Sequence, residues 1–98
     1  MELSKVTVEH LVGDQGTVYQ VVTGTAQIEA TPYFPDKTRV HLTYMTSDTE
    51  GTTVRAEVED PEVYSIAVHA YDRGKVIRVT VEEWPDGSIY LTDASTQE

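Results

Sequence analysis

The chain has 98 residues, a formal net charge of -10, a hydrophobic fraction of 39% and no cysteine. That length holds one domain, and that hydrophobic fraction separates it from disordered chains. The missing cysteine excludes disulfides and thiolate metal sites, and the acidic excess opposes a phosphate backbone, which needs Lys and Arg to displace its counterions.

Residues 1–10 carry Glu2, Lys5 and Glu9 without an apolar run. Neither a signal peptide nor an anchor is expected there. No stretch approaches the ~18 apolar residues of a membrane span. The expected location is cytoplasmic. Residues 5–12 read as a strand, with Val6, Val8 and Val12 on one parity and Thr7 and Glu9 on the other. Gly13-Asp14-Gln15-Gly16 is a turn. Residues 17–30 are extended and broken near Gly24, a residue that inside a strand marks a bulge or bend. Such a bend lets residues 18–22 pair with the first strand and 26–30 with another.

Residues 31–36 hold two prolines around Tyr33 and Phe34 and read as a loop. Residues 38–45 alternate, with Val40, Leu42 and Tyr44 facing one way and Arg39, His41 and Thr43 the other. After a polar turn, residues 53–59 put Val54, Ala56 and Val58 inward and Arg55, Glu57 and Glu59 outward. Asp60-Pro61-Glu62 is a helix start: Asp caps open amides, Pro fits the first turn, and Glu favours the positive end of the dipole. Arg73-Gly74 is a helix end. Between them Val63, Ile66, Ala67, Ala70 and Tyr71 share a helical face. A strand is the rival reading of 61–73, because Tyr64, Ile66, Val68 and Ala70 also share one parity. Residues 75–83 form a strand with Ile77, Val79 and Val81 on one face. Asp86-Gly87 signals a hairpin, residues 89–92 form a last short strand, and 93–98 a frayed polar tail.

The segment VRAEVEDPEVYSIAVHAYDRGKVIRVTVEEWPDGSIYL, residues 54–91, places a capped helix between a strand and a hairpin. Together with the strands from about residue 23 onward, this order resembles an OB-fold, a five-stranded Greek-key barrel with a helix before its fourth strand. The fold expected is thus mostly β: a small antiparallel OB-like barrel with one short helix at about 61–73 and an extra N-terminal hairpin. If 61–73 were strand, an all-β sandwich of seven or eight strands would follow. The resemblance implies a binding face on its second and third strands, here carrying Arg39, His41 and Arg55, with Tyr33, Phe34 and Trp84 on neighbouring loops.

No catalytic pattern emerges. His10, His41 and His69 lack metal-ligand spacing. Glu82 and Glu83 are adjacent in a strand and point to opposite faces. No Ser stands in a nucleophile elbow and no Gly-rich loop cradles phosphate. Neither enzymatic activity nor a cofactor is expected. The expected function is an acidic interaction module for another protein with a basic surface. Tyr33, Phe34 and Trp84 would anchor it, and Glu57, Glu59, Glu82 and Glu83 would set its charge. Two alternatives stand beside it. One is single-stranded nucleic-acid binding through Arg39, His41, Arg55 and the same aromatics, disfavoured by the net charge. The other is an acidic decoy that imitates nucleic acid and blocks a basic protein.

Overall fold

The structure, a computed structural model, describes residues 3–34 and 37–96, with the side chains of Tyr33, Phe34 and Lys37 outside that description. Its elements are β1 (Thr7–Val12), β2 (Val18–Ala30), β3 (Tyr33–Phe34), β4 (Lys37–Met45), β5 (Gly51–Glu57), α1 (Pro61–Arg73), β6 (Val76–Glu83) and β7 (Ile89–Thr96). Among the described residues the fold is mostly β with one helix.

β2 organises the sheet. Its first half pairs antiparallel with β1, its middle with β6 from Gln20 to Gln27, and its last residues with β4. β6 continues to β7, β7 meets β5 in parallel at Glu57 and Tyr90, and β5 pairs with β4. The pairings therefore run in a cycle, β2–β6–β7–β5–β4–β2. β1 and β2 extend from the cycle as a hairpin arm. Gly24 does not break β2, as the sequence suggested, but the division of partners on either side of it is the one expected there.

Strand alternation places the core. Val22, Ala26 and Ile28 of β2, Val40, Leu42 and Tyr44 of β4, Ile77, Val79 and Val81 of β6, and Leu91 and Ala94 of β7 are all buried. Burial of each large aliphatic side chain contributes ~1.5–3 kcal/mol relative to exposure.

Residues 61–73 are helical, and the sandwich alternative falls with the strand reading. The Asp60 carboxylate accepts from the Glu62 amide at 2.9 Å. Gly74 adopts the left-handed conformation at φ 62°, and the next amide, from Lys75, donates back to the Ala70 carbonyl at 2.9 Å. Val63, Ala67 and Ala70 face the core, and α1 packs on β7, β2 and β4. No helix of the described residues is long and apolar enough to cross a membrane.

Four further expectations need correction. All six residues of β1 are exposed, so the alternation of Val8 and Val12 marks a shared face without a core beneath it. Tyr71, grouped with the inward helical face, is 46% exposed in the last turn of α1. Tyr33 and Phe34 form the short strand β3 against the start of β4 instead of a loop. Of the polar segment expected to fray, residues 93–96 belong to β7, which buries Ala94 against β6, and residues 97 and 98 lie outside the described residues.

Candidate functional site

Register assembles an outward-facing row across five strands. Arg39 of β4 stands opposite Glu57 of β5, Glu57 opposite Tyr90 of β7, Tyr90 opposite Glu82 of β6, and Glu82 opposite Val21 of β2. Directly opposed residues on neighbouring strands project from the same face. The Tyr90 ring is therefore flanked by a carboxylate on each side. These residues lie on the face opposite the core, because their chain neighbours Ala56, Leu91, Val81 and Val22 are buried.

Above this row lies a groove of about 340 Å³. Glu59, Glu82 and Asp86 bring carboxylates to it, Trp84 and Tyr90 bring rings, and Ser88 and Thr92 bring hydroxyls. A smaller apolar hollow continues from it beside Glu59 and Tyr90, over Leu91. The β6–β7 turn builds one wall. Its Trp84 amide donates to the Ser88 carbonyl at 2.9 Å, and Gly87, at φ 94°, supplies the left-handed residue the turn requires. The Asp86 carboxylate accepts from the Ser88 amide at 2.9 Å. That hydrogen bond stabilises the charged form and holds the Asp86 carboxyl below its usual range. Asp86 is therefore ionised at neutral pH.

Trp84 is only half-exposed. One face of its ring stacks on Tyr19 at 4.1 Å between centroids and 11° between planes, and Gly13 lies close beneath its edge. The stack holds the ring at the groove wall.

The other sequence candidates divide into groups. Arg39, His41, Arg55 and Glu57 do share the outer face of β4 and β5, with His41 opposite Arg55. Arg39, Arg55 and Glu57 border a second hollow of about 310 Å³ next to Asp86 and Gly87. Glu59 lies just past the end of β5 and belongs to the acidic groove. Glu83 does not join it. It points to the core side, where it accepts the Tyr44 hydroxyl at 2.8 Å and the Gln20 side-chain amide. Burial first, and then the Glu83 carboxylate, push the Tyr44 phenol well above its ordinary range. Tyr44 and Gln20 thus hold the Glu83 side chain at the end of the core. The anchoring role expected of the Tyr33 and Phe34 side chains lies outside the described residues.

Tyr90 was not singled out from the sequence. Its position as a strand residue just after an Asp-Gly turn was legible, but its place between Glu57 and Glu82 depends on the parallel pairing of β5 with β7. Among the described residues, no three His, Asp or Glu side chains come together as a metal site. No family model matches the chain, and no match was found among curated proteins or solved structures.

Proposed function

We propose that the chain is a non-catalytic acidic interaction module that binds a basic segment of another protein in the groove between Glu59, Glu82, Asp86, Trp84 and Tyr90. The carrying observation is the flanking of the Tyr90 ring by Glu57 and Glu82 on one outer face, with the Trp84 wall beside it. A Lys or Arg side chain suits this chemistry. Its charged end meets carboxylates and its alkyl stem or guanidinium plane lies against the rings. The net charge of -10 steers such a partner toward the surface. We infer likewise that the fold is an OB-like Greek-key barrel. The closed cycle of strand pairings, and the position of α1 before β6, support it.

Trp84 is the only tryptophan, so its fluorescence reports on the groove directly. Titration with a short Lys/Arg-rich peptide should give a saturable change that weakens with salt. Tyr90→Ala should lower the affinity roughly tenfold, as loss of an interfacial aromatic does, and Glu82→Gln should lower it less. A folded protein whose Trp84 signal ignores the peptide overturns the proposal.

The second reading, single-stranded nucleic acid on the Arg39, His41 and Arg55 face, rests on their shared side of β4 and β5. Glu57 stands directly opposite Arg39 on that face and weakens it. An oligonucleotide titration in parallel separates the two. Saturable binding of the oligonucleotide, lost in Arg39→Ala and Arg55→Ala, with no peptide binding, would put the second reading first.

A further inference from the structure

Exposed apolar surface is concentrated on the arm. Val8, Leu11, Val12 and Val18 are four of the five large hydrophobic residues that are exposed among the described residues, and Val12 is 69% exposed. Among the described residues β1 is also the last strand of the sheet on its side, with β2 as its sole neighbour in the strand order. Natural proteins blunt such edges with charge, proline or bulges. β1, with the sequence TVEHLV, has one charged residue and none of these other devices.

The free edge has a definite hydrogen-bonding phase. The Gly13 amide donates to the Thr17 carbonyl at 2.8 Å, so that pair is hydrogen-bonded. Antiparallel pairs alternate, and the register therefore turns the backbone groups of Thr7, Glu9 and Leu11 toward β2. The backbone N–H and C=O groups of Val8, His10 and Val12 point outward from the edge. We infer that two copies of this chain pair through this edge, antiparallel, about a two-fold axis at His10. In that register His10 meets His10 of the second copy, and Val8 meets Val12 of the second copy. All three outward residues then exchange backbone hydrogen bonds.

The charge pattern selects both the occupant and the register. An edge with a single carboxylate offers a strongly basic strand almost nothing to pair with, whereas an apolar and nearly neutral strand fits it, and β1 is such a strand. Centring the axis on His10 sets Glu9 opposite Leu11 of the second copy. Centring it on Glu9 would instead place two carboxylates directly across from each other, which is destabilising. A two-fold pairing is self-complementary and closes at two copies.

The test is sedimentation equilibrium of the full chain over a range of concentration and salt. A monomer–dimer equilibrium that strengthens with salt is expected, because each copy carries a net charge of -10. Leu11→Glu brings a carboxylate opposite Glu9 twice, once in each half of the interface. It should weaken the dimer roughly tenfold, from two like-charge cross-strand pairs. Adding Glu9→Lys to that variant turns both pairs attractive and should restore association to within a few-fold of the original. Retention of the Tyr19–Trp84 stack, read from Trp84 emission, verifies folding of each variant. A chain that stays monomeric at all concentrations and salts overturns the inference. So does a dimer indifferent to Leu11→Glu, or one that the double substitution does not restore.

Discussion

Gly24 shows how one missing side chain lets two segments cross. A Cβ at this position would lie 2.9 Å from the Val6 Cγ1 and 3.1 Å from the Val6 Cα. The second contact is to backbone and cannot be relieved by a rotamer change. Val6 in turn is buried, and its amide donates to the Met45 carbonyl at 2.9 Å, which ties the start of the arm to the end of β4. Gly24→Ala should therefore destabilise the fold by ~1–3 kcal/mol, the usual cost of overpacking, seen as a lower urea midpoint with an unchanged slope. Tyr44 makes the second residue-scale case. Tyr44→Phe removes the donor to Glu83 and should cost about 1–2 kcal/mol, near the value for hydrogen bonds to charged groups. It also sets an alkaline limit on stability. The folded phenol holds its proton above the ordinary value of 10.0 while the unfolded one releases it. Above that value the unfolded state binds fewer protons than the folded state, so stability falls as pH rises. The fall should be shallower in Tyr44→Phe, and urea denaturation at pH 9 and pH 11 measures the difference.

At the scale of the element, α1 was legible because its signals agreed: a capping Asp60, Pro61 in the first turn, and Gly74 in the left-handed region at the end. Asp60→Ala removes the acceptor for the Glu62 amide and should cost ~1 kcal/mol. Gly74→Ala forces a Cβ into the left-handed region and should cost a similar ~1 kcal/mol. Thermal unfolding of the two single variants and the double tests whether the ends contribute independently. β7 was less legible for a mechanical reason. Leu91 and Ala94 both face inward though three residues apart, because Val81 pairs with Leu91 and Thr80 with Asp93, leaving Thr92 as an extra residue in the ladder. That bulge breaks the two-residue period, and a strand with a shifted phase reads as polar tail. β1 fails in the opposite way. Its alternation is real, but a period identifies side chains on the same face without showing whether anything covers them. The groove depends on pairing between strands distant in sequence, and local periodicity carries no signal for that. The outward set Arg39, His41, Arg55 and Glu57 lay within neighbouring strands and could be read directly.

At the scale of the whole molecule, the net charge of -10 is held within a radius of gyration of 13.1 Å. The Debye length at ordinary salt is ~8–10 Å, so charges on neighbouring parts of the surface still repel. Folding brings these carboxylates closer than they lie in the unfolded chain, and self-repulsion opposes the compact state. Added sodium chloride should therefore raise the melting temperature by several degrees, since relief of about 1 kcal/mol shifts a domain of this size by ~4–8 °C. The same salt should weaken binding of a basic peptide in the groove, where attraction between opposite charges is screened. It should strengthen association through β1, where repulsion between two acidic copies is screened. Asp48 and Glu50 are exposed in the turn between β4 and β5, and neither lines the acidic groove. Replacing both with lysine reduces the net charge while leaving Glu59, Glu82 and Asp86 in place. If self-repulsion is the cause, this variant should melt higher at low salt and respond less to added salt. An unchanged salt response would place the stabilising effect of salt in general exclusion from the protein surface, and the acidic excess would then act on partners alone.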